Sequence, residues 1–208
     1  DGQVVPGGTY YNTSGSETLF TNSGGNGIWV KSGSTVTGLE VSNPTDPLGS
    51  LTGNGGTLHF SAPGSIVRID GTVDASALLS GSLYTGNGGK IIVDSAYLYQ
   101  NGQLFANGAS GGLIQLNVGN MVMSPGATIE ALGQNGPGGQ VNVFASGVVD
   151  IQGTAGLKAL IDTSGQVIGI YNSNVIHIEG GVVNVDGILR ADGIQLADGT
   201  ATSGGKIE

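Results

Sequence analysis

Thr52-Gly53-Asn54-Gly55-Gly56 recurs residue for residue as Thr85-Gly86-Asn87-Gly88-Gly89, 33 positions later. Each copy opens an alternating run, Thr57-Leu58-His59-Phe60 and Lys90-Ile91-Ile92-Val93. Matching phrases then follow: Ile69-Asp70-Gly71-Thr72-Val73-Asp74-Ala75 and Gln100-Asn101-Gly102-Gln103-Leu104-Phe105-Ala106. The pattern continues downstream. Gly111-Gly112 opens Leu113–Val118, closed by Gly126–Ala131. Gly138-Gly139 opens Gln140–Ala145, with Val148–Gly153 read as its closing strand. A copy without the double glycine runs from Val175–Ile178 to Val182–Ala191. A self-similar phrase at 20–50-residue spacing is the signature of a stacked repeat.

Apolar and polar residues alternate within each run, as in strands buried on one face. The inward positions are expected at Leu58, Phe60, Ile91, Val93, Ile114, Leu116, Val141 and Val143. A repeat this short cannot bury its apolar face alone, so copies must stack. The pairs Gly55-Gly56, Gly88-Gly89, Gly111-Gly112 and Gly138-Gly139, with the Asn-Gly and Asp-Gly steps, read as structural turns with positive φ. The expected fold is all-β, a right-handed parallel β-helix (β-solenoid) of irregular coils. A β-sandwich or jelly roll, built from antiparallel hairpins, is the alternative. Residues 51–208 carry the repeats. Residues 1–50 read as irregular first coils or an N-terminal cap, with short strands at Val4-Val5, Thr18–Phe20, Gly27–Lys31, Ser34–Gly38 and Leu39–Val41.

Composition narrows the function. Of 208 residues 41 are Gly, roughly three times the usual ~7%, and that density opposes helices at about 1 kcal/mol per site. Six basic residues face fifteen acidic ones, for a net charge of -9. Such a chain offers no phosphate-neutralising patch, which argues against nucleic acid and anionic membrane surfaces. No apolar run is long enough to span a bilayer. Without Cys, disulfides and thiolate metal sites are excluded. Asp1–Pro6 has neither the basic nor the apolar region of a signal peptide, which is expected to be absent or removed.

Little in the sequence points to catalysis. His59 and His177 fall on outward strand positions and near no nucleophile motif. Arg68 has Asp70 and Asp74 nearby, and Arg190 has Asp186 and Asp192. These read as salt bridges or ladders, with a polysaccharide lyase or hydrolase kept as an alternative that needs clustered carboxylates and a cation on one face. The Asp-Gly steps read as turns rather than calcium sites, and no cofactor is expected. Tyr10, Tyr11, Trp29, Tyr84, Tyr97 and Tyr99 could stack on sugar rings. Tyr97 and Tyr99 share one strand face and form the best ligand-binding candidate.

The phrase Gly-Gly, alternating strand, Ala or Ser, strand, Gly-x-[Ile/Val/Leu]-x-Ala, carried by residues 55–145, 175–192 and 203–208, resembles the shaft repeats of filamentous-haemagglutinin-like large exoproteins. These are passengers of bacterial two-partner secretion. The resemblance implies a right-handed parallel β-helix, an extracellular or cell-surface location and a role in adhesion or biofilm scaffolding, not catalysis. Where that family's secretion domain carries Asn-Pro-Asn-Gly, this chain has Asn43-Pro44-Thr45-Asp46, so it reads as shaft. Gly204-Gly205-Lys206-Ile207 matches Gly88-Gly89-Lys90-Ile91 and begins a further coil. Those residues, with Val4 and Val5, are the expected assembly edges. They would join adjoining repeats or further copies of the chain end to end, and the unpaired strands would promote this. A self-assembling filament subunit is therefore a second expectation. Extracellular polysaccharide is the expected ligand partner.

Overall fold

Among the described residues strand follows strand, because glycine-rich corners cut the alternating runs before any helix can nucleate. In the computed structural model, residues 2–22, 25–165, 174–193 and 204–208 are described. In chain order the strands are β1 (Gln3–Val4), β2 (Gly8–Thr13), β3 (Thr18–Thr21), β4 (Ile28–Val30), β5 (Thr35–Val41), β6 (Leu51–Gly55), β7 (Thr57–Ile69) and β8 (Thr72–Asp74). Then come β9 (Leu79–Ser80), β10 (Leu83–Tyr84), β11 (Lys90–Gln100), β12 (Gln103–Phe105), β13 (Leu113–Met123), β14 (Thr128–Glu130) and β15 (Gln140–Ala145). The last are β16 (Val148–Ile151), β17 (Leu160–Asp162), β18 (Val175–Glu179), β19 (Val182–Val185), β20 (Ile188–Arg190) and β21 (Lys206–Ile207).

The chain alternates between two sheets. An 11-stranded sheet runs β1-β4-β7-β11-β13-β15-β18-β21, with β3, β16 and β19 beside that path; an 8-stranded sheet runs β2-β5-β8-β12-β14-β17-β20, with β6 at β5. From β7 onward, each pass lays one long strand, or two successive ones, in the larger sheet and one short strand in the smaller. The ladders are parallel. Among the described residues, antiparallel pairing is confined to β5–β6, β9–β10 and one isolated bridge. This is not the pairing of an antiparallel sandwich or jelly roll.

Register puts like beside like. One inward row is Leu58, Ile91, Ile114, Val141 and Ile176; another is Phe20, Phe60, Val93, Leu116 and Val143. A third, in the smaller sheet, is Val36, Val73, Leu104, Ile129 and Ile161. All eight positions expected inward are fully buried. Phe20 stacks on Phe60 at 4.9 Å, and Tyr10 meets Phe20 edge-on at 5.1 Å. These ring contacts add about 0.5–1.5 kcal/mol each to the burial itself.

The double glycines are needed for a different reason than turn conformation. None of Gly55, Gly56, Gly88, Gly89, Gly111, Gly112, Gly138 and Gly139 has positive φ. They lie where the end of a pass closes on its own beginning. A Cβ on Gly55 would strike the carbonyl oxygen of Ala75, one on Gly88 that of Ala106, and one on Gly111 that of Ala131, all well under 3.0 Å. The same carbonyls then accept from the next pass: Gly89 N donates to Ala75 O, Gly112 N to Ala106 O and Gly139 N to Ala131 O, each at 2.7 Å. At the position after Gly139 in this column stands Asn174, with φ 56, the only non-glycine described with positive φ.

Two further expectations change. Val148–Ile151 is not a closing strand: it pairs with Met121–Met123 in the larger sheet, and β17 closes that pass against β14. Alternation alone cannot say which sheet a strand joins. Ser34–Gly38 and Leu39–Val41 form a single strand, β5, whose pairings with β2 and β8 run in parallel. Val5 is buried, whereas Val4 is exposed at the sheet's edge. Lys206 and Ile207 pair with Val175 and Ile176, and Gly205 N donates to Ala191 O. Gly204 is exposed.

Gln100 breaks one of the apolar rows. It lies between Ile69 and Met123, fully buried, with neither its Nε2 nor its Oε1 hydrogen-bonded. Unpaired buried polar atoms cost about 1–3 kcal/mol each. Gln100→Met should therefore raise unfolding free energy by about 1–3 kcal/mol, measured as a higher urea midpoint. Gly111→Ala should lower stability by at least about 1–3 kcal/mol through overpacking. Gly64→Ala, where a Cβ meets nothing within 4 Å, should change it by less than about 0.5 kcal/mol. Thermal melts of both variants test the crowding.

Candidate functional site

Trp29 stands between buried Ile28 and Val30, Arg68 between buried Val67 and Ile69, and Tyr97 and Tyr99 flank buried Leu98. Strand alternation therefore turns all four outward. Register then aligns them: Trp29 pairs with Arg68, and Arg68 with Tyr99. At about 4.8 Å per strand, Trp29 and Tyr99 stand about 10 Å apart with Arg68 between them. Tyr97 lies next to Ile66, and both are exposed.

The row is held from one side. Arg68 places its guanidinium 5.5 Å from the Trp29 ring centre, and Lys31 Nζ lies 5.0 Å from it. Cations so placed are attracted by the ring's electron-rich face. Asp70 clamps the cluster. Its Oδ2 accepts from Arg68 Nε and from Trp29 Nε1, both at 2.7 Å, and its Oδ1 accepts from Asn101 Nδ2 at 2.6 Å. Asn101 Oδ1 in turn accepts from Ser124 Oγ at 2.5 Å. Burial pushes the Asp70 carboxyl up, but the bonds from Asn101, Arg68 and Trp29, with the Arg68 charge, outweigh it and hold it below its ordinary 3.8.

The result is a flat outer strip with an aromatic ring at Trp29, a cation at Arg68 and an exposed aromatic pair at Tyr97 and Tyr99. Such a strip can stack on the C–H face of a sugar ring and donate to its oxygens. Tyr97 and Tyr99 share the outer face of β11 and are both exposed. Aligning the Asp70-Gly71 and Asn101-Gly102 phrases also sets Arg68 beside Tyr99, but the alignment with Trp29 was not visible in the sequence, because the connection before it differs in length. The Arg68–Asp70 bridge is present; Asp74 instead accepts from Ser76 N. Arg190 bridges to Asp192 and to Asp162 on the neighbouring strand, and Asp186 accepts Lys158 Nζ at its backbone carbonyl. Asp162 was missed because only register places it beside Arg190.

The two histidines share an outward row, His59, Ile92, Gln115, Asn142, His177, and the intervening strands hold them apart. His59 lies between Glu17, at 3.2 Å, and Asp94, at 2.6 Å. His177 faces Glu179 and Glu208. Among the described residues no group of His, Cys, Asp and Glu is arranged to hold a metal ion. Among them, too, no helix is long and apolar enough to cross a membrane.

A folded value below the ordinary one means that Asp70 contributes stability above about pH 3.8, and that this is lost as pH falls through the lower folded value. Asp70→Asn should lower stability at neutral pH by about 1–2 kcal/mol. It should also flatten the acid limb of the stability–pH curve below the ordinary carboxylate range, as read by urea midpoints across acid pH. Compared with known proteins, the chain matches no family model, no curated protein and no solved structure.

Proposed function

We propose that this chain is a stiff extracellular rod, a right-handed parallel β-helix that serves adhesion or surface scaffolding and touches polysaccharide through its outer aromatic strip. The observation that carries this is the continuity of the parallel rows. The same column is apolar and buried from Ile28 through Val67, Leu98 and Met121 to Val149. A stack in which each pass is bonded to its neighbours resists bending, and it lengthens by adding passes. Right-handedness follows from the strong bias of crossovers between parallel strands of one sheet. The resemblance to exoprotein shafts supports the extracellular setting. The Trp29–Arg68–Tyr99 row supplies an adhesive chemistry, with weak contacts that gain strength by multivalency along a polymer.

End-to-end stacking of copies is the second reading. Val183 and Val185 continue the inward rows below buried Val149 and Ile151, yet are 41% and 42% exposed. Another pass laid on them, of a continuing chain or of a second copy, would bury them.

The test is adhesion of the whole protein to immobilised neutral and acidic polysaccharides. Retention that falls at least about fivefold in the Tyr97→Ala/Tyr99→Ala double variant, with unchanged circular dichroism, supports the adhesive rod. Retention on no glycan, or equal retention by the variant, overturns the role of the strip. Negative-stain images separate single short rods from fibres and thereby decide the second reading.

A further inference from the structure

The connections between each inward alanine and the next glycine pair differ in length. After Ala106 it is only 107–110, but after Ala75 it runs 76–87. The long one folds into the β9–β10 hairpin, with Leu83 opposite Ser80 and Tyr84 opposite Leu79, turning through Gly81 at φ 64. Its base is tied by Thr85 N to Leu78 O and by Leu78 N to Gly53 O. Its far strand reaches over the short 107–110 turn to the pass beyond. There Tyr84 N donates to Gln134 Oε1 at 2.8 Å, and Gln134 Nε2 donates to Ser82 O at 2.7 Å. These partners are 50 and 52 residues apart in the chain. The hairpin is a bridge across the stack, and the passes themselves do not need it.

Beside the bridge is a cavity of about 470 Å³, within the range that takes a small ligand. Tyr84 and Leu132 form its apolar side, with Gln134 at the tether. Asp162, Arg190 and Asp192 form the polar side. Asp162 and Arg190 are register partners on β17 and β20, 3.4 Å apart, and Arg190 Nε lies 3.5 Å from Asp192 Oδ2. These are loose pairings. A guanidinium has five donors and each carboxylate several acceptor positions, so capacity remains for a guest. Two carboxylates against one guanidinium leave the wall negative. Next to Asp162, burial pushes the Glu130 carboxyl up, against a bond from Asn107, and the Asp162 charge adds to the rise. A further anion would be repelled here.

The required guest has one apolar face, several hydroxyls able both to donate and to accept, and no negative charge. We propose that this cavity binds one neutral pyranose unit of a glycan, its C–H face on Tyr84 and Leu132, its hydroxyls on Asp162, Asp192 and Arg190. This rests on the glycan-contacting role proposed above and gives it a defined subsite, separate from the Tyr97–Tyr99 strip.

The test is a ¹⁵N–¹H NMR titration of the full chain with glucose, galactose, mannose and their disaccharides, with galacturonic acid as the charged comparator. At least one neutral sugar should shift the amides of Tyr84, Leu132, Gln134 and Arg190, and galacturonic acid should not. Tyr84→Ala should weaken binding at least about fivefold. Gln134→Ala, which frees the hairpin and removes an amide from the cavity wall, should weaken it in the same direction, and it carries the test if Tyr84→Ala fails to fold. Leu48→Ala, at an exposed position outside both the cavity and the strip, should leave binding unchanged. Silence of those amides with every neutral sugar up to about 100 mM, far above ordinary dissociation constants, overturns the proposal. So does equal binding of galacturonic acid, or undiminished binding by folded Tyr84→Ala or Gln134→Ala. If the cavity is silent but the whole protein still adheres to polysaccharide through Tyr97 and Tyr99, the subsite alone fails; if adhesion is absent too, the adhesive reading falls with it.

Discussion

Everything in this fold depends on how each pass closes. In the passes that end at Ala75, Ala106 and Ala131, the carbonyl of that alanine is driven against the first glycine of its own pass and bonded to the second glycine of the next. The approach leaves no room for a Cβ at either glycine. Because one carbonyl serves both contacts, closure and stacking are a single event, and a pass that closes is already in register with the one above it. The buried backbone groups at this corner are satisfied by the same bonds, as an interior corner requires.

Register, once set at that corner, is inherited along the whole pass. It lines up Val with Ile and Leu on the inside, and it lines up outward residues that lie far apart in the chain. Trp29, Arg68 and Tyr99 come from three different passes, and Asp70, Asn101 and Ser124 stand beside them as a polar column. The outer chemistry of such a molecule is written across passes, not along them. Variation between passes is tolerated because insertions leave the stack between the alanine and the glycine pair, where surface loops add little closure cost. One of them has become the tethered β9–β10 hairpin.

The inner face was legible because its signal is local. Alternation placed Leu58, Phe60, Ile91, Val93, Ile114, Leu116, Val141 and Val143 inward, and each is buried. Aligning the Asp70-Gly71 and Asn101-Gly102 phrases gave the register that the sheets show. Where the local signal is ambiguous, reading failed. Val148–Ile151 alternates as a closing strand would, yet joins the larger sheet. Gln100 occupies an inward position that its polarity argues against. The glycine pairs look like turn residues, but the reason for them is a neighbour's carbonyl oxygen, which composition cannot reveal.

The sequence by itself determined the strand content, the parallel order of the repeats and the identity of the buried rows, since period-two alternation and a repeated phrase suffice for these. It also singled out Tyr97 and Tyr99, because two residues apart on one strand share a face. Only the tertiary structure decided which residues of different passes become neighbours. Connections of unequal length erase the fixed offset that would let Trp29 be matched to Arg68, or Asp162 to Arg190, by counting. The position of the hairpin was likewise beyond sequence reasoning: its tether is one glutamine side chain, Gln134, reached across an intervening pass.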